Sequence, residues 1–298
     1  MNILITGCIG QLGNELQNMQ AESPSHTYYN TDIQDSAEGV VNYSRLDITD
    51  AAEVEAFVEE HDIDGIINCA AYTAVDKAEE DTTLCHKLNA TAPGILAEAI
   101  SRRAGWMIQV STDYVYDGTS HRPYTEDDAP CPASVYGTTK LEGERAVMER
   151  CEKAMVVRTA WLYSEYGKNF VKTMLTLGET KERLGVVFDQ IGTPTYALDL
   201  AAFIMTAVEK GVTPGIYHFT DEGVTSWYDF TKAIHRIAGI TTCQVSPLHT
   251  DEYPTPASRP AYSVLDKTKA KTTYAFDIPH WEEALEKCIA NIRGGKTK

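Results

Sequence analysis

MNILITGCIGQLGNEL, Met1 to Leu16, holds an apolar strand, a glycine-spaced turn and the start of a helix. Ile3, Leu4 and Ile5 form the short aliphatic run of a strand buried in a parallel sheet. Gly7, Gly10 and Gly13 come next, each where a Cβ would obstruct: a sharp turn, a close approach of backbone N–H groups to a pyrophosphate, and the packing of the new helix on its strand. An anion at that helix N-terminus meets unpaired amides and the positive end of the helix dipole. The spacing G-x-x-G-x-x-G also occurs in plain strand-to-helix corners, so the residues beyond the turn decide between a nucleotide site and a simple corner.

A second strand, His26 to Thr31, ends at Asp32, where an acid reaches the hydroxyls of an adenosine ribose; Asp35 is an alternative carboxylate for that position. Beyond an acidic connection, Thr49 or Asp50 caps a helix over Ala51 to Glu60. A third strand, Asp64 to Asn68, runs into the small residues Cys69, Ala70 and Ala71, which let a flat ligand lie against the backbone or simply pack tightly on the glycine turn. An alanine-rich helical stretch, Asn89 to Ala99, leads to a fourth strand, Trp106 to Ser111. This alternation predicts an α/β chain with a doubly wound parallel sheet.

The 298 residues suit one large α/β unit or two unequal lobes. With 43% hydrophobic and 23% charged residues the composition is that of a globular chain, and no apolar run approaches the ~18 residues of a membrane span. The first strand begins almost at Met1 with no basic or Ser-rich leader, so a cytoplasmic location is expected. Seven cysteines, with no C-x-x-C pair and no histidines at metal-ligand spacing, read as reduced thiols. The formal net charge of −17 repels nucleic-acid phosphates, so nucleic acid is not an expected partner, and neither is a membrane. An anionic nucleotide must then be held by local donors against the overall field.

The fourth strand ends in Ser111-Thr112-Asp113-Tyr114, and a proline-containing loop leads to Ser134-Val135-Tyr136-Gly137-Thr138-Thr139-Lys140. Tyr136 and Lys140 are four apart, which on a helix puts them on one face. An ammonium beside a phenol favours the phenolate and draws its pKa down from ~10, as an acid for an alcohol/ketone pair requires. Many surface helices carry a Y-x-x-x-K by chance. Here it comes after a glycine turn and a strand-end hydroxyl, Thr112, that belong to the same edge of one sheet.

A fifth strand, Ala154 to Arg158, precedes Trp161, which is either a core aromatic or a wall of a cleft. Further on, Val186 to Gly192 and Gly215 to Phe219 read as strands, and Ala197 to Lys210 and Ser226 to Ala238 as helices, the last capped by Thr225 or Ser226. Residues 161–190 and 220–280 are expected to build a small lobe over the sheet edge. Arg259 is a candidate donor to a ligand phosphate, with a surface ion pair as the alternative.

The motifs GCIGQLG, NCAAYTAVDKAE, STDYVY, YGTTKLEGE, RTAWLY and NFVKTML resemble the extended short-chain dehydrogenase/reductase superfamily and, within it, the dTDP-4-dehydrorhamnose reductase family. The resemblance extends to YPTPASRP, Tyr253 to Pro260. The glycine turn and Tyr/Lys pair specify only the superfamily, whereas STDYVY, RTAWLY and YPTPASRP are narrower. The resemblance implies a Rossmann-type domain over residues 1–160, its sheet completed by parts of 186–220, and a smaller, mainly substrate-binding lobe over 161–298. It implies NADH- or NADPH-dependent reduction of the C4 ketone of dTDP-4-dehydro-6-deoxy-L-mannose to dTDP-L-rhamnose, in deoxysugar biosynthesis for surface polysaccharide. In that reading Tyr136 is the proton donor, Lys140 holds the nicotinamide ribose and tunes Tyr136, and Thr112 bonds the sugar carbonyl. Asp113, Trp161 and Arg259 would touch the sugar nucleotide. Gly7, Gly10, Gln11, Leu12, Gly13, Asp32, Ile33, Asp47, Ile48, Ala70, Ala71 and Tyr72 would line the cofactor together with Tyr136 and Lys140.

The chain departs from its relatives at one place. Some members bridge two subunits with a divalent metal held by acids; Glu15 matches one such position, but the other falls on Leu198, which cannot coordinate. A monomer or homodimer without a metal bridge is therefore expected. Two other readings stay open, a reductase of another nucleotide-linked 4-ketosugar and a non-catalytic NAD(P)-binding regulatory subunit, because a fold does not fix a function.

Overall fold

Seven parallel strands carry the molecule in the computed structural model, which describes residues 1–21 and 25–295. The first half alternates β1 (Asn2–Thr6), α1 (Gln11–Gln20), β2 (Thr27–Asp32), β3 (Tyr43–Arg45), α2 (Ala51–Glu60) and β4 (Gly65–Asn68). It continues through α3 (Ala92–Arg102), β5 (Trp106–Thr112), α4 (Val135–Arg150) and β6 (Ala154–Thr159). The seventh strand, β7 (Gly215–His218), arrives after the helix Ala197–Lys210. Their order across the sheet is β7-β6-β5-β4-β1-β2-β3, so the chain reverses direction between β1 and β4. That reversal opens a crevice at the carboxyl ends of the two strands.

Successive β1 side chains enter opposite layers. Ile3 and Ile5 pack with Leu12 and Leu16 of α1 and with Leu200, Phe203 and Ile204; Leu4 packs with Val54, Val58, Leu96 and Ile100 on the other face. Both faces are covered, which is why the strands read as unbroken aliphatic runs rather than alternating ones. Asp50 proves to be the cap of α2, accepting from the N–H groups of Ala52 and Glu53. Ser226 caps Trp227–Ala238 through the N–H of Asp229.

The expected strand Val186 to Gly192 is two strands. Arg183–Val187 pairs with Gln244–Leu248, and Ile191–Gly192 pairs with Thr225–Ser226; neither joins the main sheet. The break has a polar cause, since the Asp189 carboxylate leaves the strand direction to accept from the backbone N–H and hydroxyl of Thr250. Strand β3 and the helices Phe170–Thr180 and Trp281–Arg293 were not predicted. Around the short ladders Tyr163, Val171, Phe230, Ile234, Trp281 and Leu285 form a separate core. This lobe stands beside the sheet's carboxyl edge, where Trp161 and Leu162 share a cleft wall with the glycine turn.

Candidate active site

A cleft of about 760 Å³ lies at the crevice between β1 and β4. Gly7 at its floor has φ +67°, and a Cβ there would come within 2.7 Å of the Ala70 nitrogen. A Cβ on Gly13 would lie 2.4 Å from the Gly7 carbonyl, so α1 sits closer to the turn than any side chain permits. The carboxylate of Asp32, at the end of β2, accepts from the N–H groups of Ile9 and Ile33. The groove thus has a cradle for a pyrophosphate at one end and an acid for a ribose beyond it, the shape and polarity of a dinucleotide site. Arg45, opposite Asp32 in register, is engaged by Asp35 and Glu53.

Buried polar side chains link the strand ends. The Thr6 hydroxyl donates to Asn68 at 2.5 Å, the Asn68 amide to Gln109 at 2.7 Å, and the Gln109 amide to the Val110 carbonyl at 2.8 Å. Lys140 Nζ donates to the same Val110 oxygen at 2.6 Å. Burial pushes Lys140 down to about 8, against the opposing pull of Glu144, Cys69 and Cys85. It is an ammonium below that pH and increasingly a neutral amine above it.

Tyr136 enters from the first turn of α4, whose cap is Ser134 accepting from the Gly137 N–H at 3.1 Å. Its phenol shares a hydrogen bond with the Thr112 hydroxyl and its ring meets Tyr114 edge-on at 5.4 Å. The expected lowering of the phenol by Lys140 is not what this geometry produces. Burial dominates and pushes Tyr136 well above the ordinary tyrosine range, with the Thr112 bond pulling the other way, while Lys140 is turned to Val110. The phenol is therefore a held proton at neutral pH. Beside it Asp113, fully buried, is pushed up to about 6 by burial and drawn back by bonds from Ser263 and Thr112.

The far wall belongs to Trp161. Its backbone is left-handed at φ +49°, a strained state for an aromatic residue, and its indole stacks on Trp227 with centroids 3.5 Å apart and planes at 10°. The ring is partly exposed on the cleft and packed behind by the lobe core.

The glycines, Gln11, Leu12, Asp32, Ile33, Ile48, Ala70, Ala71, Thr112, Asp113, Tyr136, Lys140 and Trp161 share this one cleft. Asp47, Tyr72 and Arg259 are not on its wall. Asp47 closes a turn by accepting from the N–H and hydroxyl of Thr49, and the Tyr72 hydroxyl points to Asp81. The fork of Arg259 is spent on Asp76, at 2.8 and 3.0 Å, which is the ion-pair alternative for that residue.

Sequence reading passed over several supports. Asn89 sits in a π-turn, Lys87–Thr91, and grips the Tyr72 backbone from both sides at 2.8 and 3.1 Å, fixing the Ala70–Ala71 edge of the cleft. Asn169 donates to Gln11 at 2.9 Å, joining the lobe to α1. Asn68 and Gln109 carried a usable signal, amides inside otherwise apolar strands, whereas nothing local marks Trp227.

Residues 1–293 match the family described as RmlD substrate binding domain. The chain belongs to that family. Similar members include a dTDP-4-dehydrorhamnose reductase of Aggregatibacter actinomycetemcomitans, 40% identical over 98% of either chain. A solved dTDP-4-dehydrorhamnose reductase of Clostridium acetobutylicum is 44% identical with a TM-score of 0.91, covering 98% of this chain and 100% of that one. A Bacillus anthracis enzyme of the same name, in complex with NADP, is 36% identical with a TM-score of 0.90, covering 97% and 99%. Both solved structures share this fold over nearly the full chain.

Proposed function

We propose that the protein reduces the C4 ketone of dTDP-4-dehydro-6-deoxy-L-mannose to dTDP-L-rhamnose, with NADH or NADPH as reductant. The observation that carries this reading is the meeting of the Tyr136 phenol, the Thr112 hydroxyl and Lys140 at the edge of a dinucleotide-shaped cleft. When bound, a nicotinamide supplies the hydride. Gly7, Gly10 and Gly13 bring backbone amides to the pyrophosphate and Asp32 takes the adenosine ribose.

Tyr136 gives its proton to the C4 oxygen as negative charge develops there, while Thr112 holds that oxygen in line. Its raised pKa keeps the proton in place until the ketone oxygen becomes basic enough to take it. Lys140, held on the Val110 carbonyl, supplies a positive charge in the same cleft and a donor for the nicotinamide ribose. Trp161 offers an apolar face to the deoxysugar and Asp113 a carboxylate to its hydroxyls.

Intact Thr112, Tyr136 and Lys140 weigh against a purely regulatory NAD(P)-binding role. Free thiols at all seven cysteines support a reducing, cytoplasmic setting. Among the described residues no helix is long and apolar enough to cross a membrane. We take the working form to be a monomer or homodimer, with Leu198 in place of one acid of the metal bridge. Mixing protein, reduced cofactor and the dTDP-ketosugar tests the reading: the near-ultraviolet absorbance of the reduced nicotinamide falls if it is right. Cofactor binding without that fall overturns it in favour of the regulatory role.

A further inference from the structure

Arg158 stands next to the carboxyl end of the apolar strand β6 and is only 1% exposed. Its Nε and Nη2 fork onto Glu144 at 2.9 and 2.6 Å, and Nη1 donates to the Tyr116 hydroxyl at 2.7 Å. Glu144, 2% exposed, also accepts from the hydroxyl of Ser111. The Tyr116 hydroxyl meets His218 Nε2 at 2.9 Å; burial and the nearby Arg158 push that imidazole down to about 3, so it is neutral. This is a closed, fully satisfied polar network inside the sheet-to-helix layer.

Burying an ion pair costs about as much as its attraction returns, and a packed apolar pair of the same volume often holds a fold as well or better. The location of this pair supplies a reason for keeping it. Glu144 is one helical turn beyond Lys140 on α4, and Ser111 is the residue before Thr112 on β5. Other titratable groups face Lys140 from two further elements: Cys69 after β4 and Cys85 on the helix Thr82–His86. Burial raises both thiols, so they are neutral at working pH. Among the described residues that act on Lys140, Glu144 is thus the standing anion.

We propose that Glu144, clamped by Arg158 and tied to Ser111, is a positioning residue that keeps Lys140 charged and locks α4 to the strand end bearing Thr112. The proposal rests on the reading of Tyr136 and Lys140 given above. Without Glu144 the lone guanidinium of Arg158 is left facing a buried ammonium, and Lys140 gives up its proton at lower pH.

The test is the pH dependence of kcat/KM with the dTDP-ketosugar. In the unaltered protein the alkaline fall passes through about 8, the value set for Lys140. Glu144→Gln moves that fall down by about one pH unit, roughly a fivefold loss at pH 8 that approaches about tenfold at higher pH, with much less loss near pH 6. Glu144→Asp keeps the charge and leaves the fall close to its original position. Should Glu144→Gln fail to fold, the paired change Glu144→Gln with Arg158→Met removes both buried charges and is read instead, with a smaller shift in the same downward direction expected, because the guanidinium that opposed the ammonium is gone as well. A folded variant whose alkaline fall stays where it was overturns the proposal. Tyr136→Phe is assayed alongside: if it keeps turnover, the underlying reading has failed rather than the role of Glu144.

Discussion

The cleft has two walls built on different principles. Its floor is made by strand ends and a glycine turn, where the parallel sheet repeats one geometry. Its far wall is made by the side chains of Trp161 and Leu162 and by the loop Gly167 to Asn169, with Trp161 backed by its stack on Trp227 and the lobe of short ladders behind. Between the walls stand Thr112, Tyr136 and Lys140, anchored to the floor through Val110 and the Asn68–Gln109 amides. A substitution among these three should therefore leave cofactor binding intact unless it removes Lys140, the one proposed catalytic group with a role on each side.

The largest effect expected is at Tyr136. Tyr136→Phe removes the proton donor and lowers turnover by ~10²-fold or more, while cofactor affinity, a property of the floor, stays unchanged. Fluorescence titration of the cofactor beside steady-state rates checks both halves of that statement. Lys140→Met breaks the separation, weakening cofactor affinity and turnover together. Because Lys140 is set to about 8, kcat/KM of the unaltered protein should fall as pH rises through that value, the ammonium being present below it and lost above. The protonated form of Tyr136 imposes no fall in the neutral range, since burial holds it well above.

Trp161 probes the division between the walls from the other side. Trp161→Ala should raise KM for the sugar nucleotide several-fold, about the value of a lost aromatic contact, with cofactor affinity untouched. Its left-handed backbone makes a further distinction possible. Trp161→Gly relieves a strain of roughly 1–3 kcal/mol and should melt no lower than Trp161→Ala despite losing one more carbon. A Gly variant that melts well below the Ala variant would show that the backbone at 161 is not strained.

The smallest effect is expected at the adenosine end. Asp32 disfavours a 2′-phosphate, and Arg45 is occupied by Asp35 and Glu53, so NADH should be accepted with an efficiency within about tenfold of NADPH. Asp32→Ala should move the ratio toward NADPH. Steady-state kinetics with the two cofactors settle the point, and an NADPH advantage well beyond tenfold would mean that Arg45 leaves its acids when the phosphate arrives.

The same division governs what can be read from the chain. The floor is legible because periodicity and glycine spacing are local: Ile3 to Ile5, the turn and the alternating helices announce themselves within a few residues. Tyr136 and Lys140 are legible because a helix puts i and i+4 together. The state of that pair is not, because burial and the Val110 carbonyl come from other strands and reverse the expected sign for the phenol. Arg259 has a recognisable place in its motif, but its partner Asp76 lies 183 residues away. The lobe's strands escape for a related reason, since ladders of two residues leave no pattern, and β3 is a three-residue polar edge.

If this sheet edge delivers a hydride to the carbon and a proton to the oxygen of one ketone, the hydride can be followed. The reaction is run with reduced nicotinamide deuterated at the transferring position, and the product is read by NMR. The expected product is dTDP-L-rhamnose carrying deuterium at C4 and nowhere else on the sugar. Unlabelled product, label at another carbon, or ketosugar recovered unchanged beside bound cofactor would rule this chemistry out.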